Sequence, residues 1–557
     1  MAGNSLQVNE IALQVVGQNI ANANTTGYLR EEIQLEPGPT QQLGGLLLGT
    51  GVEVASVTQV VDKFLQQRLQ GAVSDKAGTD TLQQTYSQLE SILGTLDSSS
   101  LNDSMTSFFN SISQIMNQPE DASVRNQAMQ QGVALTQNIN STAGRVETLR
   151  KDLNDQVFTI SDDINTLVED IRSLNVKISI TTGGSNSQSD AVGLTDQRNN
   201  DLESLAQLIN IQTVEQPDGT ISVYSGGNYL ASEGSSRKVG VVLDSDRGLA
   251  VANIHLLETD SALDTSSGQL HGILDSRDNV LGGFLDQLND FAGTLAYEFN
   301  KVYSGGQGLK GFTSLTGDFA VDDAAKPLND TGLKFTPQNG AFQVLVRNKQ
   351  TGLTETTDVN VNLNVPGHET TLNDIAQQLN AISGVHAEIT IDKRLKISQA
   401  SEDDEISFAN DTSGTLAALG LNTFFSGSTA DDLGVNSMVQ KNPTLFAASS
   451  GGIAQDTDNA QTLAAFIDQP LDSSNGASLS DTYDQMIGNV SQESSQAQAA
   501  ASGADTYEAT LRGQKTSISG VNLDEETVNM LQYQKAYQAS AKFIATLADL
   551  LDTLVKI

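Results

Sequence analysis

The sequence predicts a multidomain protein of the α + β class, in which long helices alternate with smaller groups of strands. Three observations predict this class. The chain of 557 residues is longer than one hydrophobic core usually serves. Apolar residues recur at spacings of three and four at both ends and in the middle of the chain, which is typical of amphipathic helices. The segment 341–425 instead alternates polar and apolar residues, as strands do.

Two stripes of residues at the ends of the chain predict a pair of terminal helices. Both follow the alternating spacing of a coiled coil. The N-terminal stripe contains Leu6, Asn9, Leu13, Val16, Ile20 and Ala23. The C-terminal stripe contains Met530, Tyr533, Tyr537, Ser540, Ile544, Leu547, Leu551 and Leu554. We expect the two helices to pair as an α-helical coiled coil; packing of each helix on its own globular domain is the alternative.

The middle of the chain predicts a domain of long bundled helices with a small β part. A heptad run from Val157 to Ile178 contains apolar residues at nearly every stripe position and leads into a polar loop over 181–190. A second helical run extends from Gly272 to Tyr303. Between them, the segment from Thr220 to Ser232 alternates around a Gly-Gly pair and predicts a hairpin.

An inserted, mainly β module of α+β type is predicted after these helices. Strand patterns surround "TLNDIAQQLNAI", which has the features of a short capped helix. The predicted domains are 1–60, the N-terminal half of an inner coiled-coil domain and its connection; 61–304, the long-helix bundle; 305–439, an outer β module; 440–510, a return to the bundle; and 511–557, the C-terminal inner helix.

Composition excludes several classes of function. With 30 Lys+Arg against 68 Asp+Glu, the net charge of −38 would repel nucleic acid and anionic lipid. The absence of cysteine excludes disulfides, thiolate metal sites and cysteine nucleophiles. The sequence shows neither a membrane-spanning apolar stretch nor the regions of a cleaved signal peptide, so we expect a soluble chain. Residues 1–3 precede the first periodic residue, and a longer natural N-terminus stays open.

No catalytic, cofactor-binding or metal-ligating residues are predicted, and we expect no enzyme. The four histidines, His255, His271, His368 and His386, lack the spacing of a metal site. The turn "DSDRG" at Asp244 resembles the start of a calcium loop but has no glutamate at the twelfth position. The phosphate-loop, zinc-protease and serine-hydrolase motifs are also missing from the sequence.

The stretch "NIANANTTGY", Asn19–Tyr28, predicts the end of the first helix and a turn. Asn and Gly are poor helix formers and tolerate the left-handed backbone region. We expect Gly27 to adopt a backbone angle that a side chain would disfavour. Tyr28 is expected to pack its ring on a neighbouring element and to keep its hydroxyl in water.

In the longer form "QNIANANTTGYLR", this stretch resembles the N-terminal signature of the bacterial flagellar axial proteins, the family of rod, hook and hook-associated proteins. The matching residues are Asn19, Ile20, Ala21, Asn22, Asn24, Thr25, Gly27, Tyr28 and Arg30. Leu29 and Glu31 depart from the family's usual hydroxyl residue and glutamine. The interior "GLTDQRNNDLESLAQLINI" and the ending from Ser517 resemble the hook-associated members.

The resemblance implies a structural junction between hook and filament that polymerises axially through its terminal helices. It implies export by the flagellar type III apparatus to the extracellular flagellum. The implied partners are copies of the chain in a ring, the hook protein, hook-associated protein 3, and an export chaperone on the C-terminal helix. Another axial protein, either a hook subunit or a flagellin-like one, and a glycan-binding or glycan-cleaving protein built on the β insert are the alternatives.

The expected subunit interface and motif combine the two stripes with the turn, where the asparagine amides would bridge neighbouring subunits. The N-terminal residues are Leu6, Leu13, Val16, Asn19, Ile20, Asn22, Asn24, Gly27 and Tyr28. The C-terminal residues are Met530, Tyr533, Tyr537, Ile544, Leu547, Leu551 and Leu554.

Overall fold

The computed structural model describes residues 1–25, 27–94, 101–183 and 191–556, and within them it confirms a mixed helical and sheet protein. The α-helices are α1 (Ala2–Asn22), α2 (Lys63–Leu93), α3 (Leu101–Asn117), α4 (Ala122–Gly183), α5 (Val192–Leu208), α6 (Gln269–Asp275), α7 (Gly282–Ser304), α8 (Leu372–Asn380), α9 (Thr415–Leu419), α10 (Ser437–Lys441), α11 (Asp458–Ala465), α12 (Leu479–Ser519) and α13 (Leu523–Val555).

The strands are short and pair antiparallel throughout the described ranges. They are β1 (Glu31–Pro37), β2 (Thr40–Leu43), β3 (Leu46–Gly49), β4 (Val52–Gln59), β5 (Gln212–Glu215), β6 (Ile221–Ser225), β7 (Asn228–Ser232), β8 (Ser235–Ser236), β9 (Val239–Asp246), β10 (Leu249–Leu256), β11 (Ser261–Ala262), β12 (Ser314–Thr316), β13 (Gly340–Asn348), β14 (Thr354–Val361), β15 (Val385–Ile389), β16 (Leu395–Gln399), β17 (Asp404–Ala409), β18 (Phe425–Ser426) and β19 (Gly434–Val435).

The chain divides into two compact units, each built from separate stretches of sequence. The first unit comprises 1–85, 151–278 and 494–557, and the second comprises 86–150 and 279–493. Helices α2, α4 and α12 contribute residues to both units. The first unit holds β1 paired with β4, β2 paired with β3, the sheet β5-β6-β7-β8 and the sheet β9-β10-β11.

Asparagines on α4 attach the sheets of the first unit to this helix. Asn175 donates to Ile221 O at 2.8 Å, and its Oδ1 accepts from Ile221 N at 3.0 Å. Asn165 makes the same pair of bonds to Val239, both at 2.9 Å. Each amide therefore binds a strand residue as a neighbouring strand would, which satisfies two backbone groups that would otherwise be unpaired. Apolar heptad residues next to these asparagines, such as Ile164 and Ile171, are fully buried.

The second unit contains the predicted insert and an apolar core. Its sheets include β14-β13-β17 and β12-β16-β15, and α8 packs against β14 and β15. Phe342, Ile375 and Phe408 lie in one buried cluster that extends from residue 312 to residue 445. The predicted capped helix is confirmed, because Thr371 and Asp374 form a reciprocal capping box at the start of α8.

An aromatic cluster in the second unit joins residues from distant parts of the sequence. Phe424 stacks on Phe108 of α3 with ring centroids 5.3 Å apart, and Phe425 meets the edge of Phe299 of α7 at 5.1 Å. All four rings are buried. Phe424 and Phe425 thus belong to the range predicted as an outer module, 305–439, yet pack against helices outside it. That domain boundary stays a prediction.

The predicted helix from Gly272 to Tyr303 is interrupted in the structure. A π-helical turn, Ser276–Leu281, separates α6 from α7. Within this turn Arg277 is buried and donates to Ala252 O at 2.6 Å and to Asn154 Oδ1 at 3.1 Å. A buried guanidinium needs several acceptors, and these partners account for the local change in helical winding.

Two further predictions concern loops. The hairpin from Thr220 to Ser232 is confirmed as β6 and β7 with Gly226 and Gly227 at the turn. The loop predicted over 181–190 begins inside α4, which continues to Gly183, and the rest lies outside the described residues.

Of the helices in the described ranges, none has the combination of length and apolar sequence required of a membrane span.

Candidate functional site

The terminal helices α1 and α13 pack against each other within one chain. Ser5 Oγ lies 2.9 Å from Ser540 Oγ near the start of α1. Just after the other end of α1, Arg30 N donates to Ser519 O at 2.8 Å, and Arg30 Nη1 lies 3.3 Å from Glu525 Oε2. The residue numbers rise along one helix as they fall along the other, so the two helices run antiparallel. Helix α1 also contacts β1 and β4.

The structure buries the predicted α1 residues unequally. Val16 and Asn19 are buried, whereas Leu6, Leu13 and Ile20 are only half-buried. The heptad pattern missed three other residues that are buried on this helix. They are Val8, Ala12 and Val15. A single stripe describes contact with one partner, but α1 contacts both α13 and the β1–β4 pair, so a wider apolar face is covered.

The predicted residues of α13 divide into a covered part and an uncovered part. Met530, Tyr533 and Tyr537 are half-buried, opposite α1. Helix α1 has 21 residues and α13 has 33, and the pairing reaches Ser540 near the start of α1. The remaining turns of α13 carry seven apolar residues with exposed side chains, which we call the distal stripe. They are Phe543, Ile544, Leu547, Leu550, Leu551, Leu554 and Val555.

Four residues of the distal stripe were predicted from the heptad and three were missed. Ile544, Leu547, Leu551 and Leu554 are 38%, 43%, 63% and 73% exposed. Phe543, Leu550 and Val555 extend the stripe to a second helical row. The sequence carries the signal for this second row, because Leu550 follows Phe543 by seven residues and Val555 follows Leu551 of the first row by four.

Asn19 is the central residue of the N-terminal turn. Its Nδ2 donates to Glu31 O at 3.0 Å, and its Oδ1 accepts from Glu31 N at 2.9 Å. The amide therefore binds the first residue of β1 in the way that Asn165 and Asn175 bind their strands. Tyr28 Oη donates to the same Asn19 Oδ1 at 2.8 Å. The Tyr28 side chain is half-buried and its hydroxyl has this acceptor within the chain, so contact of the hydroxyl with water stays a prediction.

Gly27 confirms the expected backbone angle and shows a close approach to α5. Its φ is +81°, in the left-handed region that favours glycine. A Cβ at this position would lie 2.2 Å from Asn200 Oδ1. Among the described residues, Asn22 makes only local side-chain bonds, donating to Gln18 O at 3.0 Å and accepting from Thr25 Oγ1 at 3.3 Å, and Asn24 is exposed. A role of these two amides between subunits stays a prediction.

Three carboxyl groups, on Glu31, Asp196 and Glu526, act on Tyr28 through their charge, and burial raises the pKa of the first two. Burial raises the pKa of Asp196 to about 6, although Asp196 Oδ1 accepts from Gln59 Nε2 at 2.6 Å. Burial and the charge of Asp196 raise the pKa of Glu31, and burial together with Glu31 raises the pKa of Tyr28. Glu526 is 3% exposed and its Oε2 has no hydrogen-bond partner among the described residues.

A cavity of about 650 Å³, lined by polar and apolar side chains alike, lies beside this turn in the first unit. Its cations already have partners: Lys76 contacts Asp505 at 2.6 Å, and Arg512 contacts Glu203 at 2.6 Å. In the described ranges, no group of three His, Cys, Asp or Glu side chains could hold a metal ion. The arrangement offers surfaces for packing and a set of paired charges.

Comparisons with known proteins agree with this arrangement. The family model for the flagellar hook-associated protein FlgK helical domain matches residues 86–319, and the model for the flagellar basal body rod FlgEFG protein C-terminal matches residues 514–557. Flagellar hook-associated protein 1 from Salmonella typhimurium is 25% identical over 583 residues, covering 100% of this chain and 99% of that protein. Its counterpart from Bacillus subtilis is 26% identical over 573 residues, covering 100% and 96%.

A solved structure shows the same fold. The flagellar hook junction protein FlgK from Burkholderia pseudomallei matches with a TM-score of 0.55 at 15% identity, covering 81% of this chain and 100% of that one. The family models cover the helical middle and the C-terminal helix, and the relatives extend over the full length. The chain is therefore similar over its full length to flagellar hook-associated protein 1, and its middle matches the FlgK helical domain.

Proposed function

We propose that the chain is a structural subunit that joins the flagellar hook to the filament, and that its copies assemble axially through their terminal helices. Its family consists of structural flagellar proteins rather than enzymes. The observation that carries the proposal is the distal stripe, because the described residues of the chain leave these seven apolar side chains uncovered. Exposed apolar patches of this kind mark surfaces that a partner covers.

The exposed surfaces of α1 and α13 differ in polarity, which favours a contact between unlike surfaces of neighbouring subunits. The outward residues of α1 are polar, including Gln7, Glu10 and Gln14, all of them exposed. The apolar surface is therefore on α13 and not on α1. Burying one leucine side chain is worth about 2 kcal/mol, so several distal-stripe residues together could hold a subunit in place. Contacts between unlike surfaces repeat around a ring or along a tube, which suits an axial assembly.

We further propose the partners and the compartment that follow from this role. Copies of the chain would form a ring, with the hook protein on one side and hook-associated protein 3 on the other. The terminal helices would act as a coiled-coil inner domain, and 305–439 would be an outer module. Before export to the extracellular flagellum, a chaperone would cover the distal stripe. A hook subunit or flagellin-like role is less well supported, since the matched helical domain is that of hook-associated proteins.

The experiment is complementation of a strain that lacks the protein. Such a strain should make hooks but release filament subunits into the medium. Leu551→Asp places a charge in the distal stripe and should leave that defect uncorrected, although the variant protein is folded and secreted. Thr546→Asp is the matched control, because Thr546 is an exposed polar residue on the same turns of α13.

The two variants decide the proposal together. Restored filaments with Thr546→Asp and none with Leu551→Asp would support it. Normal filament attachment with Leu551→Asp, at equal secreted amounts, would show that the distal stripe is not part of the junction. Hooks that fail to form in the deletion strain would point to the hook-subunit alternative.

A further inference from the structure

Arg198 of α5 is a buried cation whose charge no described residue balances by direct contact. It is 3% exposed, and its Nη1 donates to Asn175 Oδ1 at 3.0 Å and to Gly219 O at 2.7 Å. Among the described residues, no carboxylate forms an ion pair with it. Arg277, which is equally buried, has Asp278 at 2.7 Å. A buried charge without such a partner is costly in a protein interior.

The unused donors of Arg198 lie on one edge of its guanidinium. Nη1 makes both hydrogen bonds, whereas Nε and Nη2 have no acceptor in the described part of the chain. The Nε–H and the neighbouring Nη2–H point side by side, and such a pair of donors binds the two oxygens of a carboxylate. Burial lowers the pKa of Arg198 to about 10, although the charges of Glu215 and Asp218 act in the opposite direction. An anion on the open edge would supply the missing contact.

Arg198 lines a cavity of about 260 Å³ within the first unit. The charged residues of its lining are Lys63, Arg198 and Glu215. Since Lys63 and Glu215 pair with each other, Arg198 is the one of these three that lacks a partner among the described residues. Liquid water occupies about 30 Å³ per molecule, so the cavity has room for a small organic anion in place of several waters.

Two further features of the cavity suit a carboxylate with a short apolar tail. Asn199, the next residue along α5, is buried in the cavity wall, and its amide donates to no acceptor among the described residues. Ile178 and Leu202 are buried and form an apolar part of the wall. One unpaired guanidinium balances one negative charge, so a monocarboxylate fits this wall better than phosphate, which carries more charge at neutral pH.

We propose that this cavity binds a small monocarboxylate, whose two oxygens accept from Nε and Nη2 of Arg198 and whose carbon chain lies against Ile178 and Leu202. Such binding would not involve the distal stripe or a second copy of the chain. Its test therefore uses the isolated full-length protein and does not depend on the junction role.

Isothermal titration calorimetry with sodium acetate, at pH 7.5 and at an ionic strength held constant with sodium chloride, measures the binding. Acetate should bind saturably, and butyrate should bind more tightly because its longer chain buries more apolar surface. Inorganic phosphate should bind more weakly than acetate. Arg198→Lys keeps the positive charge but lacks the planar pair of donors, so the dissociation constant of acetate should rise at least about tenfold.

A second pair of variants leaves the hydrogen bonds of Arg198 unchanged. Gln66→Glu adds a carboxylate to the cavity wall and should weaken acetate binding about tenfold, because the new charge repels the anion and attracts the guanidinium. Gln197→Glu is the matched control. It adds the same charge at an exposed position of α5 outside the cavity lining, so it should bind acetate as the wild type does. Circular dichroism shows whether each variant is folded.

Three results would overturn the proposal. The absence of saturable acetate binding by the wild type would mean that water alone fills the cavity. Equal acetate binding by the wild type and Gln66→Glu would place the anion elsewhere on the protein. Phosphate binding as tight as acetate binding would contradict a site for a single negative charge. If Arg198→Lys does not fold, the difference between Gln66→Glu and Gln197→Glu decides.

Discussion

Helix α4 and the distal part of α13 carry the same kind of heptad pattern and have opposite environments. On α4, Ile164 and Ile171 are fully buried. On α13, Leu551 and Leu554 are 63% and 73% exposed. The heptad pattern therefore indicates an apolar helix face that packs against a partner. It does not indicate whether that partner belongs to the same chain.

The polar residues between the apolar ones account for the difference. Along α4, Asn165 and Asn175 each hold a strand by two backbone hydrogen bonds, which brings the sheets of the first unit onto the helix. On α1, Asn19 does the same for β1. The distal stripe of α13 lies beyond the start of α1 and has no strand attached among the described residues. Its partner would then come from outside the chain.

The largest effect is expected from a charge on the buried face of α4, and the same charge in the distal stripe of α13 is its comparison. Ile164→Asp should lower the free energy of unfolding by about 4 kcal/mol, because a carboxyl would replace a fully buried side chain. Leu551→Asp should change it by less than about 0.5 kcal/mol, since the site is mostly exposed in the isolated chain. Urea unfolding followed by circular dichroism measures both.

The paired result tests the comparison directly. A Leu551→Asp protein as destabilised as Ile164→Asp would mean that the isolated protein already covers its distal stripe, for example by self-association. Repeating the unfolding at several protein concentrations would reveal such self-association, because its contribution to stability depends on concentration.

A smaller effect is expected at the asparagine that attaches β1. Asn19→Ala should cost about 2 kcal/mol, because the backbone N–H and C=O of Glu31 would lose their partners in a buried place. Asn22→Ala is the matched control on the same helix; its bonds to Gln18 and Thr25 are exposed, so its cost should stay below about 0.5 kcal/mol. Thermal unfolding of the two variants gives the difference.

Equal losses in the two asparagine variants would contradict this account. Such a result would mean that the turn is stabilised by local helix-end bonds and not by the attachment of β1. A large loss in Asn22→Ala alone would indicate that its side chain has a partner other than Gln18 and Thr25.

The sequence carried enough information for the elements that depend on local chemistry. The hairpin at β6–β7, the capping box of α8 and the left-handed Gly27 each follow from residues within a few positions of one another. Periodicity also located α4 and both terminal helices, since apolar spacing is a property of the helix itself. The family resemblance rested on the same short N-terminal stretch and is confirmed.

Features that depend on distant residues could not be predicted in this way. The π-helical turn exists because Arg277 finds acceptors at Ala252 and Asn154, far away in the sequence. The carboxyl groups that act on Tyr28 through their charge come from β1, α5 and α13, and nothing in their local sequence brings them together. Asn19 was singled out as a residue between subunits, and its main bonds are to Glu31 of its own chain. The residue type indicated a side chain that forms hydrogen bonds, but it did not indicate which group the side chain binds.

The smallest effect is expected at Gly27, where the covered side of the turn meets α5. Gly27→Ala should cost about 1 kcal/mol, because φ is +81° and alanine disfavours that region. The added methyl group would also meet Asn200 Oδ1 at 2.2 Å, but this is the end of a flexible side chain that can move aside. Gly17→Ala is the control: this helical glycine has open space around it, so alanine should stabilise α1 by about 0.5 to 1 kcal/mol. The melting temperature should therefore shift in opposite directions for the two substitutions. A Gly27→Ala protein that melts no lower than wild type would show that the turn does not depend on a left-handed residue packed against α5.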